Sequence, residues 1–313
     1  MKKKQLNLTS GPILRTLSEL ALPIMASSFL STAYNITDMA WIGMLGSKAV
    51  AGVGVGGMYV WLSQGFSSLT RMGGQVNMAQ SLGKGDRKSA AGFAQAALQL
   101  TILFSLFVTL ISMLFTNPLL HFFALNDAET YNSARIYMRI TCGLILFSFL
   151  SQVLTGLFTA QGDSKTPLKA NFFGLILNMI LDPLLVLGVG PFPRLEVVGA
   201  AVATVTAQII VLLILVTEIL RDHGEANVLR KIRLLSRPDI ICVKGVFRIG
   251  VPTALQGSLY CIISMILTRM VSGFGDGAIA VQRVGGQIES LSWNTADGFG
   301  SALNAFMGQN YGA

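Results

Sequence analysis

GSKAVAGVGVGG (Gly46–Gly57) and GDGAIAVQRVGG (Gly275–Gly286) stand 229 positions apart in this chain, and the same ungapped shift lays Pro23 on Pro252 and MAQSLG (Met78–Gly83) on MGQNYG (Met307–Gly312). Across Ala21–Gly83 the shift leaves 13 of 63 residues identical, in blocks that share helix breakers. That is a duplicated unit. The second copy reaches only Ala313, the counterpart of Lys84, so the repeat alone would place the end of a full second unit near residue ~450. On that expectation the chain is a piece of a longer protein.

Composition identifies the unit. Hydrophobic residues make up 52% of the chain and charged residues 12%, with a mean hydropathy of +0.61, which belongs in a bilayer rather than in two soluble domains. Eight apolar segments are long enough to span: 13–44, 49–77, 90–115, 134–161, 166–188, 197–219, 246–272 and 278–307. Lipid cannot satisfy open backbone groups, and no ten-residue alternation marks a barrel, so these are helices. The predicted fold is an all-α polytopic bundle of two parallel-related repeats. Residues 1–221 form a six-helix N-lobe, 222–245 a linker, and 246–313 the first two helices of a C-lobe.

Charge orients the bundle. Of 23 basic residues, sixteen fall at the amino terminus (Lys2, Lys3, Lys4, Arg15) and in alternate connections, around Lys84–Lys88, Lys165–Lys169 and Arg221–Arg248. The positive-inside rule makes those connections, and the N-terminus, cytoplasmic. The net charge of +8 thus reflects topology, and basic clusters interleaved with exposed aromatics, as nucleic-acid binding would want, are missing. An even number of helices precedes the linker, so both repeats start on the same side.

Familiar motifs are uninformative. The first apolar stretch is too long for a signal-peptide core. Cys142, Cys242 and Cys261 are isolated and odd in number, fitting neither a disulfide framework nor a metal site. Gly52, Gly54 and Gly57 spell GxGxxG without a preceding strand, whereas Gly52 and Gly56 fit the small-xxx-small spacing of tightly packed helices. No GxSxG, HExxH or Walker pattern occurs, so nothing suggests an enzyme.

The informative residues are polar ones inside helices. Ser27, Ser31, Tyr34 and Asp38 recur at intervals of four, three and four, within about 60° of one helix face. Similar stripes run through Gln64, Ser68, Arg71 and Gln75, through Ser148, Gln152, Thr155 and Thr159, and through Asn171, Asn178 and Asp182. Such faces turn inward and together imply a hydrated cavity inside the N-lobe. Ser, Thr and Gln also serve as interhelical glue. A mid-helix aspartate, at roughly 2.5–3.5 kcal/mol on the lenient scale, needs a compensating role: function, or pairing with a cation such as Arg71.

On ALPIMASSFLSTAYNITDMAWIG, MAQSLGKGD, NMILDPLLVLG and GQNYGA, the chain resembles the multidrug and toxic compound extrusion (MATE) family over essentially its whole length. It looks closest to the DNA-damage-inducible-F-like branch. The resemblance implies a bacterial inner-membrane protein with two six-helix lobes around a cleft. It implies export of small cationic or amphipathic drugs in exchange for H+ or Na+, with no cofactor or metal, and a monomer whose other partners are membrane lipids. Carried over by motif, the cation-coupling residues are Tyr34, Asp38, Asn178 and Asp182. Thr204 in GAAVATV is a fifth, behind an unusual PFPR segment, and Pro23 is the bend point of the first helix. The seventh segment has no acidic residue, a departure from sodium-coupled relatives, which place one there for a second-lobe cation site. Glu289 and Asp297 on the eighth, with Gln64 and Arg71, are candidates for a secondary substrate or coupling site.

The mechanism this implies is alternating access. Poorly solvated carboxyls favour their neutral form, so Asp38 and Asp182 would accept the cation while Tyr34, Asn178 and Thr204 orient them. The alternatives are a flippase for a lipid-linked oligosaccharide, which needs a basic cavity, and a non-transporting membrane scaffold. The orientation is testable. Cysteines introduced at Lys84 and Arg233 should be shielded from an impermeant thiol reagent in intact cells, and one at Asp127 should label; labelling at Arg233 from outside would reverse the topology.

Overall fold

The computed structural model describes residues 8–9, 12–123, 125, 127–189, 193–222, 227–272 and 276–313, without the side chains of 34, 268, 272, 276–284, 287–288 and 291. Among these residues the regular structure is helical. Ten α-helices follow in order: α1 (Ile13–Gly43), α2 (Ser47–Gly83), α3 (Arg87–Leu114), α4 (Thr116–His121), α5 (Ala128–Gly143), α6 (Ile145–Ala160), α7 (Lys165–Val186), α8 (Glu196–Arg221), α9 (Ile240–Ser272) and α10 (Asp276–Gly312). Five of them, α1, α3, α7, α8 and α9, are long and apolar enough to cross a membrane, and the bent pair α5–α6 makes a sixth span. Helices α2 and α10 have 37 residues each, ample length for a span. Their glycines and polar residues dilute the apolar signal.

The expected fourth span, 134–161, is not one helix. It breaks at Leu144, where α5 and α6 meet at 50°. The Thr109 hydroxyl of α3 donates to the Cys142 carbonyl at 3.0 Å, capturing an acceptor at the end of α5. Gly143 beside it lies close to the Met113 methyl, which a Cβ there would have to displace. Pro23, Pro183 and Pro252 sit inside α1, α7 and α9. Each removes one helix hydrogen bond without interrupting its helix.

Short caps fix the connections. Asp86 accepts from Ser89 N at 3.0 Å and Ser89 Oγ at 2.6 Å at the start of α3, and these bonds hold its carboxyl below the ordinary aspartate range. Asp127 caps α5 through Thr130 N at 2.9 Å, and that bond together with Lys48 at 3.0 Å lowers its pKa likewise.

Glycine sets the helix spacings. On α2, a Cβ at Gly52 would come 2.8 Å from the Thr130 carbonyl and one at Gly56 2.9 Å from the Ala134 carbonyl, so this pair seats α2 on α5. Further along, Gly73 lies against the Val246 carbonyl of α9, and Gly250 of α9 against the Leu69 carbonyl of α2. At the ends of α2 and α10, Gly83 abuts the Gln309 carbonyl and Gly312 the Gln80 carbonyl. Adding 229 turns Gly83 into Gly312 and Gln80 into Gln309, so these last two contacts are one contact made twice, as in an isologous interface. The pairing of α1 with α10 and of α2 with α9 exchanges under the same shift.

The α2–α5 seam gives a direct test. Gly52→Val forces two backbones apart and should cost about 1–3 kcal/mol, measured as a lower thermal midpoint in detergent. Gly57→Ala, whose Cβ would meet nothing closer than Tyr137 Cε1 at 4.0 Å, should leave the midpoint unchanged. Equal midpoints for both variants would remove the glycine seam as a determinant of the fold.

Candidate functional site

Asp38 on α1 and Asp182 on α7 come together across the bundle. Both are buried, at 8% and 0% exposure, and their side chains are within hydrogen-bonding reach of each other. A hydrogen bond between two carboxyl groups requires a proton on one of them. Asn178, one turn before Asp182 and also buried, donates its amide to Asp182 Oδ2 at 2.7 Å while its carbonyl oxygen accepts from Thr204 N of α8 at 3.2 Å. Four of the five residues carried over by the resemblance therefore meet in one place. For the fifth, Tyr34, the backbone lies in α1, and the side chain is outside the described residues.

Local packing explains the meeting. Helices α7 and α8 approach closely at two glycines. Gly174 abuts Val211 Cγ2 one turn before Asn178, and Gly199 abuts the Leu185 carbonyl one turn before Thr204. Beyond the carboxyls, each aspartate is followed four positions later by a fully buried aliphatic residue, Ile42 after Asp38 and Val186 after Asp182. These join Val53, Val197 and Ala200 in one apolar cluster, against which Tyr137 of α5 packs. The pair is thus stoppered on one side.

On the other side it adjoins a cavity of about 180 Å³ bordered by Asn178 and Thr204. Ser31, Ser148, Gln152, Asn171 and Gln208 contribute polar groups to the cavity wall. Three of the four polar stripes in the sequence therefore face one chamber, as expected, with α8 added. The fourth does not. Gln75 of α2 donates to the Ser301 carbonyl at 2.9 Å, and Arg71 pairs with Asp297 at 3.7 Å, so this stripe turns toward α10. Arg71 consequently does not pair with Asp38 or Asp182. Within the carboxyl site, Asp38 Oδ1 and Asp182 Oδ1 are buried oxygens that accept no hydrogen bond from a described residue.

The secondary candidates separate. Asp297 is held by Arg71, and Glu289 accepts from the Trp293 indole at 3.0 Å. Gln64 is half-buried on α2. Glu289, Trp293, Asp297 and Ser301 are spaced by four along α10, facing a cleft toward α2 and α9. Trp61 of α2 packs edge-on to Tyr260 of α9 at 6.0 Å, and Tyr260 lies 6.3 Å from Trp293. The sequence reading missed this aromatic ladder, along with Tyr137 and Gln208. The four-residue spacing on α10 was its one available signal.

A multi-pass helical membrane protein with a carboxyl pair buried beside an internal chamber is the architecture of a transporter. Comparison with known proteins makes the class specific. The family model MatE matches residues 23–184 and 252–313, and the chain belongs to the MATE family. The chain is thus part of a family of transporters. It is 30% identical over 301 residues to a probable multidrug resistance protein NorM of Thermotoga maritima, covering 96% of this chain and 64% of that protein. An FAD transporter of Shewanella oneidensis is 26% identical, covering 99% of this chain and 68% of its own. The chain thus spans about two thirds of the length of these relatives. A MATE protein crystallised in complex with MaD3S shares the fold, with a TM-score of 0.88 at 23% identity over all of this chain and 69% of that one.

Proposed function

We propose that this chain belongs to a cation-coupled multidrug efflux antiporter of the bacterial cell membrane, working by alternating access, with its N-terminus in the cytoplasm. The observation that carries the reading is the Asp38–Asp182 pair, closed off by an apolar cluster on one side and adjoining a polar chamber on the other. Such a pair can hold a shared proton or a bound monovalent cation, and either occupancy leaves one net negative charge where the empty pair would carry two in a poorly solvated site. Electrostatics therefore ties its occupancy to the packing of α1 against α7 and α8. Of H+ and Na+, H+ is the simpler fit, since two neighbouring carboxyls in a poorly solvated site favour sharing a proton. Pro23, which leaves the Glu19 carbonyl without a helix donor, is where α1 would bend as the pair changes state.

The drug would occupy the cleft between α2, α9 and α10. Trp61, Tyr260 and Trp293 offer aromatic faces there, and Glu289 offers negative charge, a combination suited to small organic cations. A lipid-linked oligosaccharide flippase would need basic residues in the same place. Of the described arginines, Arg71 pairs with Asp297 and Arg269 stands against the Phe122 ring.

The decisive experiment is exchange of each aspartate for its uncharged isostere. Asp38→Asn and Asp182→Asn should insert normally and should each abolish drug export, read as susceptibility of pump-deficient cells and as loss of proton-driven uptake into inverted vesicles. Full export by both single variants would move coupling to Glu289 and Asp297. Export that collapses when sodium is withdrawn at constant pH would overturn the proton assignment.

A further inference from the structure

The contact between α1 and α10 runs from the middle of the bundle to one of its ends. Thr32 of α1 accepts from the Asn294 amide of α10 at 2.8 Å. Further along, a Cβ at Gly298 would lie 3.1 Å from Met25 Cα, and then Leu20 and Ala21 of α1 share one buried cluster with Ala302, Ala305 and Phe306 of α10. At the extremity, where α1 begins and α10 finishes, a residue from outside both helices completes that cluster. Leu8 is 1% exposed, whereas Ile13 and Leu14 at the start of α1 are 68% and 79% exposed. The Asn310 amide of α10, which also bonds the Phe306 carbonyl one turn back, donates to the Leu8 carbonyl at 2.8 Å.

The chain before α1 thus crosses to α10 as a strap, and the duplicated unit does not require one. Under the shift of 229, Leu8 corresponds to Arg237 and Asn310 to Ser81. Arg237 is exposed, and the Ser81 hydroxyl donates to the Asn77 carbonyl of its own helix. The chain entering α9 is held elsewhere, by α3. Gln95 donates to the Ser236 hydroxyl at 2.9 Å, and Gln99 donates to the Leu234 and Ser236 carbonyls, each at 2.8 Å. Among the described residues, then, the α1–α10 pairing carries a strap and its exchanged counterpart, α2 with α9, does not. The strap is an addition to the repeated frame.

We propose that this strap is a latch for the arrangement in which the start of α1 and the ends of α2 and α10 lie together, and that it is released when α1 and α10 part. The seat of Leu8 has walls from both helices, so it exists only while they touch. Parting strips the leucine of one wall and takes the Asn310 amide away from the Leu8 carbonyl. Position adds leverage, because a contact at the extremity of a rocking interface opens furthest. Burial of one leucine side chain weights an equilibrium about tenfold or more, and one hydrogen bond about fivefold. The latch therefore biases the two arrangements without touching the carboxyl site. The inference rests on the alternating access proposed above and is independent of which residues carry the coupling cation.

The test is pulsed spin-label distance measurement on the full-length protein that contains this chain, with labels at Lys84 and Tyr311, exposed positions at the ends of α2 and α10. Two separations are expected. Leu8→Ala should raise the ratio of the longer to the shorter about tenfold, since a buried leucine is lost from one arrangement alone. Asn310→Ala leaves the apolar cluster intact and should raise it about fivefold, which keeps the test alive should the leucine variant fail to fold. In a separate variant, a cysteine replacing Leu8 should react with a maleimide far more slowly than one replacing the exposed Arg15, the three native cysteines being buried. A ratio unchanged in both variants, even with a lowered thermal midpoint, would make the strap a staple of the fold and overturn the latch. Equal reaction rates at the two cysteines would overturn it as well. One single separation in the wild type and in both variants would overturn alternating access, and the latch with it.

Discussion

A carboxyl group in the middle of a membrane-spanning helix can be accommodated only by turning inward to partners of its own protein, and Asp38 and Asp182 share that constraint. Much of the N-lobe packing serves it. Helix α7 must present Asp182 to α1, and it does so because Gly174 and Gly199 bring α8 close enough for Thr204 to hold Asn178, which in turn holds Asp182. Ile42 and Val186 follow their aspartates by one turn and pack together over the pair. Loss of the Thr204–Asn178 or the Asn178–Asp182 bond would leave a further buried polar atom without a partner in a low-dielectric site, and such an orphan costs more than the bond itself provides.

What the sequence disclosed, and what it withheld, follows from what helical spacing encodes. Intervals of three and four fix which residues share a face, so the stripes on α1, α6 and α7 were legible and meet at one chamber. Spacing does not encode which neighbour a face meets. The α2 stripe has the same signature, and it turns to α10, where Arg71 finds Asp297 and Gln75 finds Ser301. The break at Leu144 was hidden for a similar reason. Gly143 alone is a weak signal, and what captures the Cys142 carbonyl is Thr109, on a helix 33 residues away. Likewise the Trp61–Tyr260–Trp293 ladder draws on three separate helices.

The two ends of the inter-repeat contact are built differently. Where α2 and α10 finish, backbones meet at reciprocal glycines, and the amides of Gln75 and Gln309 reach across to Ser301 and the Ala160 carbonyl. These contacts are short and directional, and each amide satisfies a buried backbone acceptor. Toward the opposite end the contacts are aromatic edges and an apolar cavity, which depend weakly on exact separation. Under the alternating access proposed above, an interface with one stiff end and one compliant end would rock about the stiff end. Rocking the other way would require the Gln75, Asn77 and Gln309 bonds to be exchanged for water or other partners, which would make the two arrangements discrete rather than continuous.

Duplication supplied the frame, and the two copies then diverged in chemistry. Under the shift of 229, Asp38 corresponds to Leu267 and Tyr34 to Ile263, both outward-facing apolar residues on α9. In the opposite sense, Glu289 and Asp297 of α10 correspond to Val60 and Ser68 of α2. The first copy thus buries its acids inside its own helices, and the second places its acids at the cleft between copies. A buried pair can exchange only a small ion, since the chamber beside it is about 180 Å³. Acids at the rim of a cleft can meet something larger. If both sets of acids lay in one copy, ion and drug would compete directly for a single chamber. Under the proposed function, dividing them between copies would let each respond to the other through the packing of α1 against α10 and α2 against α9, the contacts that the repeat makes twice.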